Sequence, residues 1–278
     1  MNADIQLYAR TAPQYQEALG FLQGVFTFQT SLMERLETGP PIDRAAANEK
    51  WQLGQCLLTS DSPEIPLPLC REAVSMLAAL CPPDGAARAT LDSVLASEVL
   101  ISADDTAWLH GLVDSVVHHP RHNGDVQRLA AATSADPDLL AALLREVLSP
   151  FFQKWAAPAR EWIATAPWRR GNCPVCGSLP FMARLDREGG RRILGCSLCH
   201  TEWPFDRLRC PFCDEANHIH LRFFAVEGDE THRVDCCDRC HRYYKTVNER
   251  ALGHRANLLV EDVVTAHLDV LATEHGYS

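Results

Sequence analysis

The feature that most limits what this chain can fold into is a set of four C-x-x-C pairs within 68 residues. They are Cys173/Cys176 in CPVCG, Cys196/Cys199 in CSLCH, Cys210/Cys213 in CPFCD and Cys237/Cys240 in CDRCH. Two thiolates two residues apart can close over one ion on a tight turn whose backbone N–H groups face the sulfurs, and a second such turn completes a tetrahedral set of four sulfurs. Eight paired cysteines therefore predict two metal centres. A thioredoxin-like redox motif would be a single pair beside a βαβ unit, not four pairs in series.

The segments between the pairs predict which pairs share an ion. Phe181, Ala183 and Leu185 alternate with Met182, Arg184 and Asp186, Glu188-Gly189-Gly190 follows, and Arg192-Ile193-Leu194 returns, which is a β-hairpin pattern. The second interval repeats it, with Ile219, Leu221 and Phe223 alternating with His220 and Arg222, a turn at Glu227-Gly228-Asp229-Glu230, and a return over Thr231 to Asp235. A hairpin brings its ends together, so the expected sites are sequential: 173/176 with 196/199, and 210/213 with 237/240. Each unit begins C-P-x-C and ends C-x-x-C-H followed by an aromatic residue, Trp203 or Tyr243, making a tandem repeat of about 40 residues.

C-x-x-C-H is also the attachment signature of c-type haem. That reading is set aside because haem attachment does not call for a matching C-P-x-C one hairpin upstream. His200 and His241 are expected to be exposed or hydrogen-bonded rather than ligands. Cys236 adjoins Cys237, but only Cys237 has the two-residue gap to Cys240, and successive strand residues face opposite ways, so Cys236 is left out of the site. Cys56, Cys70 and Cys81 stand singly and are expected to be small buried apolar residues.

The rest of the chain has another character. Residues 1–168 hold 11 Lys and Arg against 20 Asp and Glu, residues 169–257 hold 15 against 12, and residues 258–278 hold none against 4. Apolar residues recur at helical spacing over 15–36, 43–58, 69–80, 86–100, 104–117, 125–133 and 137–148. Asp136-Pro137 and Asp104 are predicted helix starts, and Gly39-Pro40-Pro41 and Cys81-Pro82-Pro83-Asp84-Gly85 predicted breaks. The expected fold class is α+β: a helical bundle over 1–168, a rubredoxin-like or zinc-ribbon module over 169–209, and a second over 210–278 that includes a C-terminal helix. In VVHHPRH, His118, His119 and His122 have spacing that can meet a metal, but Pro120 interrupts the helix that would align them, so a solvated helix end is expected.

Asp4 and Arg10 lie where an export signal would need an unbroken apolar stretch, and no later window has the apolar run of a membrane span. The expectation is a cytoplasmic protein, whose clustered cysteines are metal ligands rather than disulfides. Four thiolates around a divalent ion carry −2, so two filled sites would take the ribbon region from +3 to about −1. With a net charge of −10 for the whole chain, nucleic acid is not an expected partner. A zinc-ribbon nucleic-acid-binding or regulatory protein and a rubredoxin-like electron carrier are the alternatives.

CPVCGSLP, CSLCHTEW, CPFCD and the CDRCHRYYK run, followed by an acidic tail containing EDVVTAHLDVLATEHGY, resemble the formate dehydrogenase accessory (formation) proteins of the FdhE type. The resemblance covers about 173–277. It implies iron in two rubredoxin-like four-cysteine sites, with zinc accepted by the same spacing. It also implies a role in maturing respiratory formate dehydrogenase, the catalytic subunit as partner before export, and no enzymatic reaction of the protein's own. His200 and the doubled Cys236-Cys237 depart from the pattern, and neither removes a ligand.

Overall fold

The structure is a computed structural model and describes residues 2–37, 42–58, 65–97, 106–118 and 124–278. Up to residue 163 every regular element described is helical: α1 (Asn2–Thr11), α2 (Gln16–Arg35), α3 (Arg44–Gln52), α4 (Leu67–Leu80), α5 (Ala86–Ala96), α6 (Thr106–His118), α7 (Gly124–Thr133), α8 (Pro137–Ala156) and α9 (Arg160–Ile163). Asp136 caps α8 as expected, its carboxylate accepting from the Leu139 N–H at 2.9 Å, and Pro137 occupies the first turn where no N–H is needed. Cys81 ends α4, and the Pro82–Gly85 turn separates it from α5. Asp104, Gly39-Pro40-Pro41, His119 and His122 lie outside the described residues.

From Pro180 onward the chain forms strands β1 (Pro180–Leu185), β2 (Arg192–Cys196), β3 (Glu202–Phe205), β4 (Leu221–Phe224), β5 (His232–Cys237) and β6 (Arg242–Asn248). Short helices α10 (Glu249–Leu252), α11 (Leu258–Val264) and α12 (Ala266–Glu274) follow. Both expected hairpins are present, β1 antiparallel to β2 and β4 antiparallel to β5. Each continues past its second cysteine pair into a third antiparallel strand, β3 or β6. The two meanders are joined by β1 and β6, which pair in parallel with Met182 opposite Lys245 and Leu185 opposite Asn248. The result is one six-stranded sheet in the order β3-β2-β1-β6-β5-β4.

Two compact units group the chain differently from the expected segments 1–168, 169–209 and 210–278. One comprises Met1–Leu22, Ile42–Leu57 and Ala159–Ser278; the other comprises Gln23–Pro41 and Leu58–Pro158. The shared sheet puts both cysteine ribbons in a single unit. The N-terminal helix belongs with them because Ile5 and Leu19 bury against Val260 and Val264 of α11. Tyr8 adds a hydrogen bond to the buried carboxylate of Glu261, which also meets His232 Nε2 at 2.8 Å. Elsewhere in this unit, Met182 and Val247 pack with Ala256 and Leu258, and Val234 packs with Leu268 and Ala272. The second unit has its own core. In α8, twelve of twenty residues are buried, among them Leu140, Leu144, Val147, Phe151 and Phe152, joined by Val74, Leu77, Leu91 and Val94 from α4 and α5. Such all-round burial marks a helix at the centre of its unit.

Candidate metal centres

Two groups of four sulfurs converge: Cys173, Cys176, Cys196 and Cys199 in one, Cys210, Cys213, Cys237 and Cys240 in the other. Within each, all four sulfurs lie within 4.8 Å of one another. Sulfur–sulfur distances include 3.6 Å (173 to 199) and 3.4 Å (176 to 196) in the first group, and 3.8 Å (210 to 240) and 3.7 Å (213 to 237) in the second. These spacings are too long for disulfides, whose sulfurs lie about 2.05 Å apart. A tetrahedron with metal–sulfur bonds of about 2.3 Å has edges of about 3.8 Å, so the sulfurs stand close to where one ion would hold them.

The sequence produces this convergence through one turn used four times. The residue after each second cysteine has a left-handed backbone: Gly177 (φ 83°), His200 (φ 54°), Asp214 (φ 65°) and His241 (φ 55°). That twist bends the chain back on itself. The N–H groups of Gly177, Asp214 and His241 then donate to the carbonyls of Cys173, Cys210 and Cys237. The first cysteine of three knuckles donates across the turn, Cys173 to Ser178 O, Cys196 to Thr201 O and Cys210 to Glu215 O, at 2.8–2.9 Å. Backbone N–H groups inside the knuckles face the sulfurs, those of Val175 with Cys173 Sγ and of Leu198 and Cys199 with Cys196 Sγ, each at 3.4 Å. Donors aimed at sulfur favour thiolate and bound cation over thiol. The histidines of the two C-x-x-C-H runs are therefore turn residues, and their rings belong to neither sulfur group.

The electrostatics call for a positive charge among the sulfurs. Burial, with hydrogen bonds given by the Cys173 thiol to the neighbouring sulfurs, pushes that thiol well up, and burial does the same to Cys196. Burial also acts on Cys199, but its hydrogen bonds with the other three cysteines and with Thr201 overcome it and pull that thiol well down. Four clustered sulfurs cannot all ionise without a cation between them, and a divalent ion removes the conflict. The donor set and its spacing fit a metal held tetrahedrally by four sulfurs.

Cys236 is buried outside both groups, its sulfur 3.5 Å from Arg222 O, as strand alternation implies. Cys56, Cys70 and Cys81 are buried singly, and burial pushes the Cys70 thiol up to about 12. The first group is covered by residues that no local sequence signal connects to it. The Trp51 indole N–H and the Leu57 N–H both donate to Pro174 O, at 3.0 and 3.1 Å, and Arg160 donates to Cys199 O at 2.9 Å. Trp51 lies in a stretch whose only sequence signal is helical, and nothing local there points to a cysteine knuckle more than 120 residues away.

Comparison with known proteins agrees on the cysteine region. Residues 172–207 match the FdhE central domain and residues 208–278 the FdhE C-terminal domain. A protein FdhE homolog of Pseudomonas aeruginosa is 31% identical over 149 residues, which is 51% of this chain and 48% of the relative. Protein FdhE of Escherichia coli K12 is 27% identical over 169 residues, 53% of each chain. The chain thus spans about half the length of the curated relatives it matches. The crystal structure of the FdhE protein from Pseudomonas aeruginosa superposes with a TM-score of 0.63 at 22% identity, covering 99% of this chain and 90% of that one, so the fold is shared. Residues 172–278 thus match the two FdhE domains in series, and the chain shares the fold of that FdhE structure.

Proposed function

We propose that the chain is a cytoplasmic assembly factor for formate dehydrogenase. It binds the enzyme's catalytic subunit before export and carries one metal ion, iron in its native state, in each cysteine group. The observation that carries this reading is the pair of preformed four-sulfur cages, built in sequence on one sheet, in the stretch that matches the FdhE domains. Cys173, Cys176, Cys196 and Cys199 would hold one ion, and Cys210, Cys213, Cys237 and Cys240 the other. An ion closed in by four thiolates has no open position for a substrate, so it supplies rigidity and, if iron, a one-electron couple. The chain's own residues do the rest: the knuckles hold the hairpin ends, the parallel β1–β6 pair fixes the two ribbons as one body, and their surface recognises the client.

A tagged protein used as bait should recover the formate dehydrogenase catalytic subunit. Recovery of nucleic acid without that subunit would overturn the reading in favour of a zinc-ribbon regulator. An electron-carrier role is separated by loading the protein with zinc, which fits the cage but cannot change oxidation state there. The scaffold reading expects zinc-loaded protein to bind the subunit and restore active enzyme to extracts lacking the factor. Binding without restoration would show that the redox capacity of iron is needed.

A further inference from the structure

The two cysteine groups differ in how they meet solvent. In the first, no ligand residue is more than 1% exposed, and of the four residues between its cysteines Pro174, Val175 and Leu198 are buried and Ser197 is half-buried. The bonds from Trp51, Leu57 and Arg160 close over its backbone. In the second, Cys213 and Cys240 are partly exposed, Phe212 and Asp238 are half-buried, and Arg239 stands in solvent. Its two buried members, Cys210 and Cys237, line a cavity of about 200 Å³ on the β4–β5 side of the sheet. All four sulfur-bearing residues of the second group thus border solvent or a cavity.

The cavity has a definite chemistry. Arg192, Arg207, Arg209, Arg222 and Arg233 line it against one carboxylate, Asp235. Asp235 pairs with Arg233 and lies 3.7 Å from Arg192, Asp238 pairs with Arg222, and Asp214 and Asp206 answer Arg209. Five guanidiniums against four carboxylates leave excess positive charge. Arg192 is almost wholly buried with its Nε lacking a hydrogen-bond partner, while its guanidinium sits 5.3 Å over the Tyr244 ring. Four thiolates around a divalent ion repel anions through their net −2 charge; a guanidinium rim offsets that repulsion on this side.

We infer that the second group is the exchange-competent centre of the pair, reached by small anionic donor ligands through the arginine-rimmed cavity, while the first is kinetically closed. This rests on both groups holding metal. In the exchange, a donor atom of the incoming anion forms a bond to the ion as one metal–sulfur bond breaks. The released thiolate takes a proton from water, and no electron moves.

The test uses full-length protein loaded with zinc to two ions per chain, treated with excess EDTA, an anion, or phenanthroline, which is neutral. Zinc release is followed optically, and freed thiols are alkylated and located by mass spectrometry. Two phases of equal amplitude are expected, separated by about tenfold or more, with Cys210, Cys213, Cys237 and Cys240 labelled in the fast one. Arg207→Glu, an exposed rim change, should slow the fast EDTA phase about threefold and leave the phenanthroline rate alone. A single phase, or earlier labelling of the first group, overturns the asymmetry. An equal effect of Arg207→Glu on both chelators overturns the anion route. Failure to load two ions would instead refute the metal reading beneath it, and is seen before any chelator is added.

Discussion

The left-handed residue after each second cysteine sets the shape of its knuckle, and side-chain chemistry at that position matters less than backbone freedom. Gly177 fills it at no steric cost, whereas His200, Asp214 and His241 hold a conformation that costs an L-residue roughly 1–2 kcal/mol. His241→Gly is therefore expected to keep two metal ions per chain with stability unchanged or raised, measured by elemental analysis and thermal unfolding. Gly177→Val should lower stability by about 1–2 kcal/mol or more, since a β-branched residue tolerates this backbone least. Loss of an ion in His241→Gly would show that the imidazole is a ligand after all. The C-x-x-C-H string is legible as a metal turn because the cysteine pairs come in fours. That its histidine is a turn residue is not legible from the string alone, since His is only enriched at positive φ and most histidines do not adopt it.

At the scale of elements, hairpins and sequential pairing follow from strand alternation and Gly-containing turns, both local signals. Gly190 and Gly228 do turn the chain at the predicted places, with φ of 64° and 85°. The parallel β1–β6 pairing has no such signal. It joins residues about 63 apart in sequence, as in Met182 with Lys245, and depends on which buried strand faces fit together. Trp203 and Tyr243, the aromatics that close the two repeats, both lie in the unforeseen third strands, Trp203 buried and Tyr243 donating to Asp269 at 2.9 Å. The two ribbons also meet where Gly171 passes Pro211: a Cβ on Gly171 would stand 1.9 Å from Pro211 O. Gly171→Ala must move backbone, and we expect a loss of about 1–3 kcal/mol together with faster thiol labelling in both cysteine groups. An unchanged denaturation midpoint and labelling rate would mean that the ribbons are not in contact there.

For the molecule as a whole, the helical unit is held by its apolar core alone, whereas the sheet unit adds four cysteine knuckles to its apolar clusters. Structural zinc in small fingers contributes roughly 10 to 16 kcal/mol of apparent binding energy, comparable to the stability of an entire domain. Removing metal is therefore expected to raise amide exchange throughout 173–248 while α4, α5 and α8 keep their protection, read by hydrogen exchange with mass spectrometry. Uniform loss of protection would contradict the independence of the two cores. The change in composition after residue 168 marks where the chemistry begins but not where the compact unit ends, because α1 and the Trp51 segment join the sheet through contacts with no local periodicity of their own. No helix among the described residues is long and apolar enough to cross a membrane, in keeping with the lack of a long apolar run in the sequence.

Two independent four-sulfur centres with sequential ligands fix the metal count of the parent protein and of two single variants. Elemental analysis of anaerobically purified protein should give two ions per chain, falling to one in Cys173→Ser and to one in Cys210→Ser. One ion or none in the parent protein, or loss of both ions in either variant, would contradict that arrangement.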